Sequence, residues 1–127
     1  MFFLTIEDTF ASAHQLRNYK GKCENLHGHN WKVVLKVKGK FLNESDLVID
    51  FNDLKKILKT ILQDLDHQNL NKISPFDKKN PSSENISLYI FERAEELLAK
   101  IDPKVMVDSV TVWESERSRC TYRKENN

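Results

Sequence analysis

Hydrophobic positions change period along the chain. Over residues 2–7, Phe2, Leu4 and Ile6 alternate with Phe3, Thr5 and Glu7, the period-two pattern of a strand. Residues 30–39 repeat it, with Val33, Leu35 and Val37 on one face and Lys32, Lys36 and Lys38 on the other, which predicts one core face and one wet face. "FLNESD" reads as a turn-like link, and Asp50 in "VIDF" as a turn or capping residue. From Leu54 the spacing becomes helical: Leu54, Ile57, Leu58, Ile61, Leu62 and Leu65 share one stripe, with Asn52 as the expected N-cap. A second stripe, Ile86, Ile90, Ala94, Leu97, Leu98 and Ile101, is capped by Ser82 or Ser83 and stopped by Pro103. Two more strands are predicted, roughly 105–114 and 118–124. Between the helices, "DHQNLNKISPFDKKNPSS" is a long polar connection, and such connections in compact domains are often functional.

The order ββααββ predicts an α+β domain: an antiparallel four-stranded sheet with two helices on one face. The opposite face, rich in Lys, Thr and Ser, is expected to meet water or a wet channel. The two open edges need management, and self-association by edge pairing is one solution. The 127 residues fit one domain, 1–127, able to bury roughly 65–70% of its unfolded surface without disulfide staples. A formal net charge of +1 argues against a general nucleic-acid binder. An anionic ligand would need local cations, and Arg17, Lys20 and Lys22 form such a cluster. No apolar run approaches the ~20 residues that span a bilayer. "MFFLTIEDTF" lacks a basic n-region and reads as a strand, not a signal peptide. Two cysteines, Cys23 and Cys120, read as free thiols of a cytoplasmic protein, Cys120 as a packing residue.

The chemistry concentrates in "CENLHGHNW", residues 23–31. On an extended segment His27 and His29 point to the same side, and Gly28 leaves room for close backbone approach. His14, just after the first strand, can supply a third nitrogen if that strand pairs with the one beginning near Trp31. Three neutral imidazoles with an open fourth position describe a catalytic zinc site. Against this, H-x-H can be incidental. Cys23 admits three readings: a fourth ligand of a closed zinc site, a reactive thiolate favoured by the metal, a histidine or the lysines, or a bland thiol. Glu24 is a solvated loop carboxylate or a candidate base. Asp66 and His67 are helix-end punctuation or a carboxylate-set proton carrier. Glu114, at a strand end, is solvated or, if it faces a cleft, accepts two N–H bonds from a planar heterocycle.

Six segments, "FASAHQL", "CENLHGHNW", "LVIDFNDLK", "LDHQNLN", "NPSSENIS" and "VTVWES", together resemble the family of 6-pyruvoyl-tetrahydropterin and 6-carboxy-tetrahydropterin synthases along nearly the whole chain. The resemblance implies the tunnelling fold, in which ββααββ subunits join edge to edge into an oligomeric barrel, a trimer or a dimer of trimers, with active sites at subunit interfaces. It implies Zn2+ on His14, His27 and His29, and a catalytic group of Cys23, Asp66 and His67. It also implies pterin contacts from Glu114, Ser82, Ser83 and Glu84. Ser82–Ser83 and Ser115 stand where threonine is common in the family, and a hydroxyl is kept.

The substrate implied is 7,8-dihydroneopterin triphosphate, handled by a zinc-dependent lyase. The spacing C-x3-H-G-H resembles the 6-carboxy-tetrahydropterin synthases of the queuosine (deazaguanine) pathway, whereas pyruvoyl synthases typically have C-x5-H-G-H. Glu24 also satisfies E-x2-H-G-H, the pattern of members that form 6-hydroxymethyl-dihydropterin for folate, so Glu24 stands as an alternative base. The reading from another class is a non-catalytic zinc- and pterin-binding module on the same fold.

Overall fold

The computed structural model describes residues 1–125. Two long strands open the chain, β1 (Phe2–His14) and β2 (His27–Gly39), paired antiparallel without a break from Phe2↔Gly39 to His14↔His27. Helix α1 (Phe51–Gln63) follows, then a two-residue strand β3 (Gln68–Asn69) and a single 3-10 turn, Leu70–Lys72. Helix α2 (Ser83–Ile101) leads to β4 (Met106–Ser115) and β5 (Ser118–Tyr122). The sheet order is β3-β1-β2-β4-β5, with both helices on one face.

The sheet thus has five strands where the sequence pattern gives four. The extra strand runs parallel to β1, pairing Ser12 with Gln68 and Ala13 with Asn69. Two residues are too few to show a period, and they pair because the edge of β1 offers unpaired backbone groups. β1 also runs on to His14, so that histidine lies inside the strand, not after it.

Helix α1 starts before the expected cap: Asp50 is the N-cap, its Oδ1 accepting the Asn52 N–H at 2.8 Å. An aspartate there satisfies an orphan amide and sets a negative charge at the positive end of the helix. The five stripe positions within α1, Leu54 to Leu62, are buried, as is Leu65 just beyond the helix. In α2, Ser82 is the cap and Ile86, Ile90, Ala94 and Leu98 are buried, but Leu97 is only partly covered and Ile101 is half exposed. The core joins these stripes to Trp31, Val33, Leu35 and Val37 of β2 and Val110 and Val112 of β4. Leu70 and Phe76 anchor the inter-helix connection in that core. Cys120, on β5, sits 3.9 Å from Ser87 Oγ of α2 and is unpaired. Among the described residues no helix is long and apolar enough to cross a membrane.

One bulge shapes the far end of the sheet. Lys36 opposes Ser109 while Val37 opposes Val107, leaving Asp108 as the extra residue. Asp108 is buried and bonded to Arg123 at 2.9 Å, with Lys38 at 3.8 Å, so its charge is paired. Gly39, at the end of β2, packs against Val48, and a Cβ there would lie 2.7 Å from Val48 Cγ1. Gly39→Ala is therefore expected to lower stability by about 1–3 kcal/mol through overpacking. Urea unfolding would register it as a lower midpoint, and a second change, Val48→Ala, should recover part of the loss.

Candidate metal centre and the groove beside it

Period two on paired strands brings the histidines together. His14 and His27 are cross-strand partners, and His29 lies two residues along β2 on the same side as His27. The ring centroids are 4.7 Å (His14–His27), 4.8 Å (His27–His29) and 5.1 Å (His14–His29) apart. Trp31 walls the group, edge-on to His14 at 4.8 Å and to His29 at 5.1 Å, and itself stacks on Phe10.

The fourth member is Glu114 at the end of β4. One donor atom from each of His14, His27, His29 and Glu114 lies within 4.8 Å of the others. A tetrahedral zinc would draw nitrogens to about 3.3 Å apart, a small closing motion. The hydrogen bonds suit a metal. His14 Nδ1–H donates to the Pro81 carbonyl at 2.7 Å, and His27 Nδ1–H donates to the Asn25 carbonyl at 2.8 Å. Each bond fixes the tautomer that leaves Nε2 as a lone pair. The Nε2 atoms of His14 and His29 are buried without a hydrogen-bond partner, an arrangement a bound cation would satisfy. Burial pushes the His29 imidazole below its usual range, with the two neighbouring histidines adding to the effect and Glu114 and Glu24 opposing it. That favours the neutral, ligating form.

Cys23 is not in this group. It is exposed, on a groove of about 660 Å³ lined by Tyr19, Lys20, Lys22, Cys23, Glu24, Asn25 and His27. The thiol and the cluster therefore share His27 as a common wall. The donor atoms that lie together are those of three histidines and one carboxylate, with Cys23 outside that group. Glu114 also receives a bond from Ser83 Oγ–H to Oε2 at 3.3 Å, and its Oε1 stands 3.4 Å from His29 Nε2. Ser82 is occupied as the α2 cap, and Glu84 is exposed in the first turn of α2.

Asp66 and His67 stand elsewhere in the chain, on the outer edge of β1. Asp66 Oδ1 accepts the Ala11 N–H at 2.8 Å and Oδ2 accepts from His67 Nδ1 at 2.8 Å, while His67 N–H bonds to the Ala11 carbonyl. His67 is largely exposed, in a left-handed conformation with φ 56°. A single subunit does not bring this pair into the Cys23 groove.

Two side chains that brace the segment beside the groove escaped the sequence reading. Asn71 bonds both backbone groups of Gln15, at 2.9 Å each. Asn80 does the same for Arg17, at 2.8 Å each. The Arg17 guanidinium also donates to Phe76, Asp77 and Asn80, so this cation belongs to the clamp, while Lys20 and Lys22 remain on the groove. Side-chain amides in a polar connection carry no period, and the only hint was the density of Asn in 69–80.

An α+β sheet-and-helix subunit with three imidazoles gathered at one end of the sheet is a tunnelling-fold subunit, of the kind that closes into oligomeric barrels. The chain belongs to the 6-pyruvoyl tetrahydropterin synthase family, whose profile matches residues 3–125. It is similar to the 6-carboxy-5,6,7,8-tetrahydropterin synthase of Haemophilus influenzae, with 31% identity covering 97% of this chain and 99% of that protein. The structure of Caenorhabditis elegans 6-pyruvoyl tetrahydropterin synthase superposes with a TM-score of 0.82 at 31% identity, covering 98% of each chain. A Plasmodium vivax 6-pyruvoyltetrahydropterin synthase in which a glutamate described as catalytic is replaced by alanine gives 0.79 at 25% identity, again over 98% of each chain.

The bond from Ala11, then that from His67, holds the Asp66 carboxyl below its ordinary range. With the folded value below the unfolded one, Asp66 contributes stability that is complete above pH ~4 and drains away as pH falls through the lowered folded value. Asp66→Asn should therefore flatten the acid limb of a stability–pH curve measured by urea unfolding; an unchanged limb would remove this account of the pair.

Proposed function

We propose that the chain is a zinc-dependent lyase converting 7,8-dihydroneopterin triphosphate and water to 6-carboxy-5,6,7,8-tetrahydropterin, triphosphate and acetaldehyde. The observation that carries this reading is the juxtaposition of a three-histidine group, two of its rings fixed in tautomer, with a free thiol across His27. The spacing Cys23-x3-His27-Gly28-His29 supports the carboxy product over the pyruvoyl one, and the Haemophilus relative bears the carboxy synthase name.

The metal would be held by His14, His27 and His29, with Pro81 and Asn25 fixing two of the rings. A zinc ion there supplies Lewis acidity, which makes protons beside the side-chain oxygens of the substrate easier to remove. Cys23, as thiolate, removes and returns protons at that side chain. Asp66 orients His67 through Nδ1, leaving Nε2 to exchange a proton from the opposite face. Because this pair stands on the sheet edge, it serves the groove of a neighbouring subunit in the barrel. Glu114, steadied by Ser83, receives donors of the substrate at the floor, and Ser82, Ser83 and Glu84 border the heterocycle. Lys20 and Lys22 meet the triphosphate with two positive charges at the rim.

A second reading, hydroxymethyl-dihydropterin formation with Glu24 as base, draws on the Plasmodium relative with its catalytic glutamate. Incubation with dihydroneopterin triphosphate and mass spectrometry separates carboxy, pyruvoyl and hydroxymethyl products. No product at all would leave a zinc- and pterin-binding module. Cys23→Ala should retain the metal, measured as bound zinc per chain, and lose turnover by at least about a hundredfold. Loss of zinc with the thiol would make Cys23 a structural ligand and end this mechanism.

A further inference from the structure

The sheet face turned away from the helices is strongly cationic, and register sets its members. Within the strands it carries Lys32, Lys36, Lys38 and Arg119 against two carboxylates, Glu7 and Asp108. Three of the four cations have somewhere to rest. Lys32 Nζ stands 3.5 Å from Glu7 and 5.2 Å from the Trp113 ring centre. The Arg119 guanidinium lies 4.5 Å from the centre of the same ring. Lys38 is 3.8 Å from Asp108, which is also bonded to Arg123.

Lys36 has no such place. Among the described residues it forms no ion pair. Its cross-strand partners carry hydroxyls, Thr5 on β1 and Ser109 on β4. One row further along, the Thr111 and Thr121 hydroxyls bond each other at 2.7 Å. Lys36 is thus a half-buried ammonium on the central strand of the sheet, set among hydroxyls and lacking a counter-charge. It lies on the opposite face from the histidines and seven residues along β2 from His29, roughly 23 Å away.

Barrel closure gathers copies of this cation. The helices cover one face of each sheet, and helices about 10 Å across do not fit inside a narrow barrel, so the other face closes inward. Three copies of the four main strands make a barrel of about twelve, between the roughly eight that side chains fill and the roughly sixteen that leave an open channel. Symmetry then puts one Lys36 from each subunit at the same height in the channel. Like charges at one level repel, and low-dielectric walls strengthen the repulsion. A compact anion with several charges would cancel it, and the hydroxyls of Thr5 and Ser109 can donate to the same oxygens.

We propose that the channel holds a second anion site, a ring of Lys36 side chains that takes one compact polyphosphate per three subunits and stabilises the assembly by bridging them. The site is incomplete in a single chain. It is separate from the Cys23 groove, where Lys20 and Lys22 lie, and it does not depend on the pterin chemistry there.

Inorganic triphosphate titrated into the full-length Lys20→Ala/Lys22→Ala protein, whose groove has lost those cations, tests this by calorimetry at low salt. The ring predicts one ion per three chains, bound at least about tenfold more tightly than inorganic phosphate. Adding Lys36→Met should abolish that binding, and Lys36→Arg should keep it. Thermal unfolding in the same background gives a second reading. Triphosphate should raise the midpoint by about 3–6 °C while Lys36 is present, and by nothing in Lys36→Met. Without the anion, Lys36→Met should unfold at a higher temperature, because the repulsion is gone. One ion per chain, binding that survives Lys36→Met, equal affinity for phosphate and triphosphate, or a lowered midpoint in Lys36→Met overturns the proposal. So does a monomer in analytical ultracentrifugation. Pterin turnover enters none of these readings, so failure of the lyase reading would leave them standing.

Discussion

The register between β1 and β2 governs everything else in this molecule. The ladder from Phe2↔Gly39 to His14↔His27 sets which residues face the helices. A slip of one residue would send His27, His29, Trp31, Val33, Leu35 and Val37 to the wet face together. Trp31, Val33, Leu35 and Val37 are fully buried, and each large apolar side chain is worth roughly 1.5–3 kcal/mol when removed from water. Gathering imidazoles around unpartnered nitrogens is unfavourable by comparison, but the apolar side chains on the same strand outweigh it. The core of the domain thus enforces the geometry of a site to which it contributes no chemistry.

A second dependence runs through the short segment before α2. Pro81 holds the His14 ring, Asn80 holds Arg17, and Ser83 bonds to Glu114. The same stretch is pinned to α2 by Asn85, which donates through Nδ2 to Asn80 and through its backbone to Ser82. Three residues within four, Asn80, Pro81 and Ser83, therefore touch the Cys23 connection, β1 and β4. A displacement of the α2 N-terminus would reach the candidate metal group and the groove together.

Both helices and the inner face of β2 were legible because their buried positions are large and apolar at a single period. The reach of β1 to His14 was not, since its inward residues near the end are Ser12 and His14, which no hydrophobic count scores as core although both are buried. H-x-H told correctly that two rings share a side. That Glu114 joins them depends on β4 lying beside β2, with Lys32 opposite Trp113, which is a matter of strand order and not of local pattern. The asparagine clamps lie beyond any periodicity, because side chains there stand in for the missing neighbour strand. The sequence did place Cys23 beside Lys20 and Lys22, for the simple reason that a tight loop keeps near neighbours in space.

The left-handed backbone at His67 carries a consequence for how this protein can evolve. A non-glycine residue in that region costs on the order of 1 kcal/mol or more, and glycine would adopt it without strain. The turn that brings the chain back along β1 is thus built with a residue that is suboptimal for folding. Glycine at this position would relieve the backbone and, by the same change, remove the imidazole that bonds Asp66. The edge of β1 is thus a place where backbone ease and a side-chain pair compete for one residue.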